Sequence, residues 1–405
     1  MNKFSIAKLG PGLLFAGAAI GVSHLVQSTR AGAEFGWGFV WALLLINLFK
    51  YPFFQYGPRF ALATNTTLLD GYHKLGKGYL WIYFILNLAS MFTIQTAVTI
   101  VTAGLASQLF GITENLALWG VIITLGSMLL LLIGKYQMLD RIIKIVMVIL
   151  ALSSVAAFSI AYGKTGNPLS WQQVFPDSSA LLFFIAFLGW MPAPLDVSIM
   201  HSIWSVEKNK IQKKLITVKE GLFDFNVGYI ATVVLALCFL GLGALVMFNS
   251  GMTFSNNGNA FAGQLIQLYT SNLGASTYTI IALAAFTTML STTITTLDAS
   301  PRAMSISVEL LFNRKNKHLY LIWIIILALG TGFIFLFLLS EMGLLVQIAT
   351  VLSFLTSPLY AFLNYRLVTS DIMPKEHRPK KGLQILSLIG ITILSGFTLF
   401  YILQL

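Results

Sequence analysis

Apolar residues occur along this chain in long unbroken runs, not in the alternating or three-to-four-residue spacing of soluble strands and helices. Eleven runs stand out, at about 9–30, 37–58, 79–109, 117–134, 140–162, 179–203, 222–248, 275–297, 319–339, 343–367 and 383–404. A helix needs about 20 apolar residues to cross a bilayer core. The pattern therefore predicts an all-α polytopic membrane protein with eleven transmembrane helices. Two runs are interrupted at their centres. Gly21-Val22-Ser23-His24 divides the first, and Gly189-Trp190-Met191-Pro192-Ala193-Pro194-Leu195-Asp196 divides the sixth. Broken helices at corresponding positions of two halves point to the substrate site of a carrier.

Composition agrees with the pattern. Of 405 residues, 57% are hydrophobic and only 10% charged, against about 25% charged in soluble domains. The net charge of +11 would suggest nucleic acid, but its placement says otherwise. With the N-terminus and its Lys3 and Lys8 in the cytoplasm, the even-numbered connections also face inward. They hold Arg59, Lys74 and Lys77, then Lys135, Arg141 and Lys144, then Lys208, Lys210, Lys213, Lys214 and Lys219. The last two hold Arg302, Arg314, Lys315 and Lys317, and Arg366, Lys375, Arg378, Lys380 and Lys381. Only Lys164 falls in an external loop, while Arg30 and Lys50 lie within runs. This is the positive-inside signal. It predicts a bacterial inner or plasma membrane protein with an external C-terminus, in contact with anionic lipid and not with nucleic acid. The single Cys238 excludes an internal disulfide and reads as a small buried apolar residue. No P-loop, zinc-type spacing or nucleophile–base pairing is present, so neither an enzyme nor a resident cofactor is expected; a monomer is.

Runs one and six enter the membrane from opposite sides. Residues 1–165 and 175–368 are therefore expected to form two inverted repeats within a single transporter domain, with 369–405 as a linker and eleventh helix. Leu13-Leu14-Phe15 before the first break echoes Leu181-Leu182-Phe183 before the second, and Ser23-His24 is loosely echoed by Ser198 and His201.

Further motifs carry a resemblance. Gly10-Pro11-Gly12 opens the first helix, Ala31-Gly32-Ala33-Glu34-Phe35-Gly36 closes it, Met200-His201-Ser202 follows the second break, and Leu290-Ser291-Thr292-Thr293-Ile294-Thr295-Thr296-Leu297 forms a hydroxyl-rich eighth helix. In this order they resemble the Nramp family of metal-ion transporters. That resemblance implies a LeuT/APC-type fold of two inverted five-helix repeats. The substrate motifs depart from it. Where the family has Asp-Pro-Gly-Asn, this chain has Gly21, Val22, Ser23 and His24. Where the family has Met-Pro-His, counting back from His201-Ser202 gives Pro194, Leu195 and Asp196, although a gap would bring Met191-Pro192 into register. The family's helix 3 acids fall near Gln95 and Val98.

The half-helix after each break is expected to present unpaired N–H groups and a partial positive charge, which suits an anion. The carbonyls before each break suit a cation. Candidate substrate-binding residues are Gly21, Ser23, His24, Gln27, Lys50, Pro194, Asp196 and Ser198. Thr288, Ser291, Thr292 and His201 are candidates for a coupling Na+ or H+. Each has a plainer reading: Asp196 as a helix N-cap, His24 as a buried hydrogen-bonding group, Lys50 as a residue snorkelling to the inner surface, the hydroxyls as helix packing. Loss of the family's Asp and Met ligands leaves the positive helix ends dominant. The expectation is ion-coupled, alternating-access symport of a small anion such as bicarbonate. The alternative is a divalent cation, Mn2+ or Mg2+, held by Asp196, His24 and carbonyls. A channel or a non-transporting sensor is a third class, with little polar lining to support it.

Overall fold

A computed structural model describes residues 11–134, 136–164, 172–178, 180–211, 216–248, 254–338 and 342–404. Gly10 and the orientation signals Lys3, Lys8, Lys135, Lys213 and Lys214 lie outside the described residues, as do the side chains of Leu13, Leu14, Arg141 and Lys144. The described chain is helical throughout, without a strand. The first run is α1 (Pro11–Ala19), a π-helical turn at Ser23–Ser28, and α2 (Thr29–Phe35). There follow α3 (Val40–Thr64), α4 (Leu68–Leu75), α5 (Lys77–Phe110), α6 (Leu116–Leu132) and α7 (Tyr136–Lys164). The sixth run is α8 (Leu181–Trp190) and α9 (Val197–Ile211). The remainder is α10 (Val218–Val246), α11 (Gly258–Leu273), α12 (Tyr278–Phe312), α13 (Leu319–Phe333), α14 (Met342–Thr369) and α15 (Lys381–Ile402).

Six helical stretches among the described residues are long and apolar enough to span a membrane: Lys77–Phe110, Val218–Val246, Ala275–Phe312, Leu319–Phe337, Met342–Thr369 and Lys381–Ile402. The other predicted runs fall short for visible reasons. The first and sixth are broken. Helix α3 is long, but Lys50, Gln55 and Arg59, with Pro52 and Pro58, lower its hydropathy. Leu116–Leu132 and Val148–Lys164 are apolar but shorter.

Two helices escaped the apolar-run scan. Helix α11 buries Phe261, Ala262, Leu265, Ile266, Leu268 and Tyr269 on one face and exposes polar residues on the other, the amphipathic spacing of a helix lying on a protein surface. The Asn257 side chain caps it by accepting from Asn259 N and Ala260 N. Helix α4 is short and starts at a capping box of Thr67 and Asp70. Helix α12 runs well past the predicted end at 297. There Asp298 pairs with Arg302 at 2.7 Å and accepts from the Tyr320 hydroxyl at 2.6 Å, so polar partners carry the helix beyond its apolar stretch.

Helix α10 is the rail on which the first broken helix lies. A Cβ on Gly12 would stand 2.2 Å from Asp224 O, and one on Gly228 would stand 2.3 Å from Gly12 O. Higher up, a Cβ on Gly32 would meet Leu240 O at 1.9 Å, and one on Gly243 would meet Thr29 O at 2.1 Å. Both halves of the broken helix thus sit backbone to backbone on α10, the close approach that small residues permit in membranes. The Asp224 carboxylate adds an accepted bond from Gly12 N, 2.8 Å, and so caps the start of α1. The second broken helix is held likewise: α8 packs on α14 through Gly189, whose Cβ would meet Thr350 O at 2.0 Å. Helix α9 packs on α3 through Gly57, whose Cβ would lie 2.3 Å from Ser198 O. Helix α5 packs along α12, and α15 lies outside against α14 and α3.

Gly32→Ala and Gly243→Ala should each cost about 1–3 kcal/mol by overpacking and lower the thermal unfolding midpoint. Gly126→Ala, with nothing within 4 Å, should leave it unchanged. Equal midpoints for all three would remove the α2–α10 contact as a constraint.

Candidate functional site

The first break closes on itself. Gly21 N donates to Ala19 O at 3.0 Å, and Gly21 O accepts from His24 N and Leu25 N at 3.1 and 2.9 Å. The Ser23 hydroxyl lies 2.6 Å from the freed carbonyl of Ala19. A Cβ on Gly21 would stand 2.9 Å from Thr292 Oγ1, so a glycine here lets the break touch α12. His24 is fully buried and turns the other way. Its Nε2 faces the Thr232 carbonyl on α10 at 3.0 Å and therefore donates, while Nδ1 lies 2.7 Å from Ser23 Oγ.

The second break follows from its two prolines. Leu188 O and Trp190 O would accept, in a continuous helix, from the N–H groups of residues 192 and 194, and both are proline. Lys50, fully buried on α3, supplies a donor to Leu188 O in place of the missing one. Its Nζ donates to Leu188 O and Gly189 O at 2.7 Å each and reaches Ala193 O at 3.5 Å. On the far side, the first amides of α9 are already bonded. Val197 N donates to Pro194 O, Ser198 N to Leu195 O and Ile199 N to Asp196 O, at 2.9–3.2 Å. The Ser198 hydroxyl donates to Leu195 O at 2.7 Å and accepts from Asn364 Nδ2 at 2.9 Å.

The breaks face each other across a cavity of about 50 Å³, room for a few water-sized particles. Ala19, Val22 and Ser23 line it from the first break; Pro194, Asp196, Val197 and Met200 from the second. Ile94 and Val98 of α5 form an apolar wall, and Thr292, Thr295, Thr296 and Ser300 of α12 a hydroxyl-bearing one. Trp190 and Trp204 complete the lining. Among the described residues, Asp196 is the one ionisable side chain in the cavity lining. It is 7% exposed, and its Oδ1 is buried without a hydrogen-bond partner. Gln95, near the position of the family's helix 3 acids, orders the hydroxyl wall: its Oε1 accepts from Thr296 at 2.7 Å.

Of the predicted residues, the structure brings Ser23, Pro194, Asp196 and Thr292 to the cavity, with Gly21 against Thr292. The others stand apart. His24 is engaged by α10. Gln27 reaches Thr350 Oγ1 at 3.4 Å, on the α14 side. Ser198 is used in capping, and Lys50 spends its N–H groups on carbonyls rather than snorkelling to a surface. Thr288 and Ser291 are buried in α12 outside the lining. His201 is wedged between Phe15 and Phe225, ring centres 5.7 Å away in each case, with neither nitrogen bonded. Sequence reasoning missed Thr296 and Ser300 as site residues. Spacing by four from Thr292 would have placed them on its helical face.

The geometry lends the expected anion site little support. The first amides of α9 are bonded to their own turn, no basic side chain among the described residues lines the cavity, and a carboxylate oxygen of Asp196 is left without a partner. Arg30 pairs with Glu34 at 3.1 Å and lies over the Phe183 ring.

Comparison with known proteins agrees with the architecture. The family model described as natural resistance-associated macrophage protein-like, Nramp, matches residues 12–404. An uncharacterised protein of Pasteurella multocida is 38% identical over 100% of this chain and 93% of its own length. The divalent metal cation transporter MntH of Staphylococcus saprophyticus is 25% identical over 73% of this chain and 69% of its own. Among solved structures, a manganese transporter of Eremococcus coleocola superposes with a TM-score of 0.72 at 17% identity, covering 97% of this chain and 85% of that one. The nucleobase-cation-symport transporter Mhp1 superposes with a TM-score of 0.62 at 14% identity, covering 97% and 92%. The fold is therefore LeuT-like, and the chain, an integral membrane protein, belongs to the Nramp family of transporters.

Proposed function

We propose that this transporter carries a hydrated divalent cation, Mg2+ or Mn2+, and that Asp196 anchors it. The observation that carries the reading is the partnerless Asp196 Oδ1 in a cavity with no basic lining. Ser23, Thr292, Thr296 and Ser300 add hydroxyl oxygens. Hard oxygen donors with a single carboxylate suit a cation that keeps part of its water shell, as Mg2+ does. A cavity of about 50 Å³ has space for an ion with a few waters. Among the described residues no group of three or more His, Cys, Asp or Glu forms a closed cage for a softer metal. The Met200 thioether at the wall adds one soft donor, which a Mn2+ ion tolerates. The relatives, a divalent metal cation transporter and a manganese transporter, support the same class of cargo.

The transport cycle we assign is alternating access through eleven spans in two inverted repeats, with H+ as the coupling ion. Reciprocal packing supports the repeats: α2 lies on α10 as α9 lies on α3, and α5 pairs with α12. The cavity extends along Met200 and Trp204 of α9 and Ala299 and Ser300 of α12. Those helices lead to Lys208, Lys210, Arg302 and Arg314, the basic side assigned to the cytoplasm. The conformation is accordingly read as inward-facing.

In proteoliposomes, Asp196→Asn should slow Mg2+ or Mn2+ uptake roughly ten- to a hundredfold, the equivalent of about 1.5–3 kcal/mol for a lost charge-assisted contact, with an unchanged unfolding midpoint. Uptake at the wild-type rate would exclude Asp196 as the anchor. In a competition panel, unlabelled divalent cations should suppress uptake while bicarbonate and formate do not. Uptake of labelled bicarbonate with no divalent cation flux would refute the cation reading.

A further inference from the structure

We propose that the Lys50 ammonium is a tethered counterpart of a coupling cation: it permanently fills the carbonyl pole of the second break, so this break needs no ion from solution. In carriers with broken helices, carbonyls at half-helix ends are where small cations are held. Here those positions are taken by a side chain. Nζ stands 2.7 Å from Leu188 O, 2.7 Å from Gly189 O and 3.5 Å from Ala193 O, so it spans both sides of the interruption. An ammonium has three hydrogens and no acceptor, so these bonds occupy all of them. None is left for a cargo anion, and Lys50 does not reach the cavity lining. Among the described residues no carboxylate forms an ion pair with Lys50; Asp196, within electrostatic reach, acts across the break. A buried charge without a close counter-ion persists in a membrane only where oriented dipoles replace water. The carbonyl end of α8 supplies those dipoles, about half a negative charge.

The arrangement also has a mechanical consequence. Lys50 rides on α3, so the ammonium ties the end of α8 to α3 across the break. A soluble ion would bind and leave with each cycle and thereby make the cycle depend on its gradient. A tethered one cannot leave, so movement of α8 relative to α3 stays independent of the external monovalent cation.

The test uses the purified full-length chain. Lys50→Ala leaves an empty channel ending at the carbonyls, and Lys50→Met fills the same length without a donor. Thermal unfolding is followed in sodium, n-butylammonium and tetramethylammonium chlorides at equal ionic strength. Wild-type midpoints should be the same in all three. Lys50→Ala should unfold at a lower temperature in tetramethylammonium, which has no N–H to give, and be restored by n-butylammonium or sodium. Lys50→Met should stay destabilised in all three. This arm does not depend on what is transported. Divalent cation uptake, which rests on the function proposed above, should fall about tenfold in Lys50→Met and be independent of sodium in the wild type. Equal midpoints of Lys50→Ala in n-butylammonium and tetramethylammonium would overturn the proposal, as would wild-type stability and uptake in Lys50→Met, or a sodium requirement in the wild type. No divalent cation uptake by the wild type, with the expected n-butylammonium rescue of Lys50→Ala, would overturn the cargo reading and leave the tethered cation standing.

Discussion

Interrupting a helix inside a bilayer frees backbone groups that lipid cannot satisfy, at a cost of several kcal/mol each. Everything distinctive in this structure answers that demand. At the first break the Ser23 hydroxyl and Gly21 N meet the Ala19 carbonyl. At the second, two prolines remove the donors that Leu188 and Trp190 would use, and a lysine from another helix comes in to serve Leu188 and Gly189. Ser198 and Asn364 close the remaining turn. The breaks survive because each is stitched to a neighbour: the first to α10 by His24 and the glycine contacts, the second to α3 and α14.

That stitching also determines the chemistry of the cavity. Amides already bonded within a turn have no capacity for a solute, so the positive ends of the half-helices are blunted. What is left facing the space is oxygen: the Asp196 carboxylate and the hydroxyls of Ser23 and α12. A partly desolvated carboxylate attracts a cation far more strongly than it would in water. A single carboxylate without a ring of other ligands would leave the proposed cation room to retain water, which lowers the dehydration cost of entry and eases release. The arrangement fits a carrier, which must let its cargo go, better than a structural metal site.

Several residues that look chemical in isolation are structural here. His24 holds the first break to α10. Ser198 caps a turn. Asp224 receives Gly12 N at the start of α1, and Asp298, within α12, joins Arg302 and Tyr320. Their polarity satisfies backbone and helix-end groups in a setting where an orphaned donor or acceptor is expensive.

Long apolar runs, the two central interruptions and the distribution of Lys and Arg were readable from the chain, because lipid imposes length, continuity and charge placement on local sequence. The broken helices appeared where Gly21 and the Pro192–Pro194 pair put them, and Asp196 was visible as a carboxylate at the lip of a break. Helix α11 was not legible, because a half-buried surface helix lacks a continuous apolar run. Nor was the lining from which a cation is proposed as the cargo. Whether Lys50 points to a solute or to carbonyls, and which face of α12 meets the cavity, depend on partners far away in the chain. Local sequence determines which backbone groups are released. Only the packing of α3, α10 and α14 around the breaks decides which of them stay available.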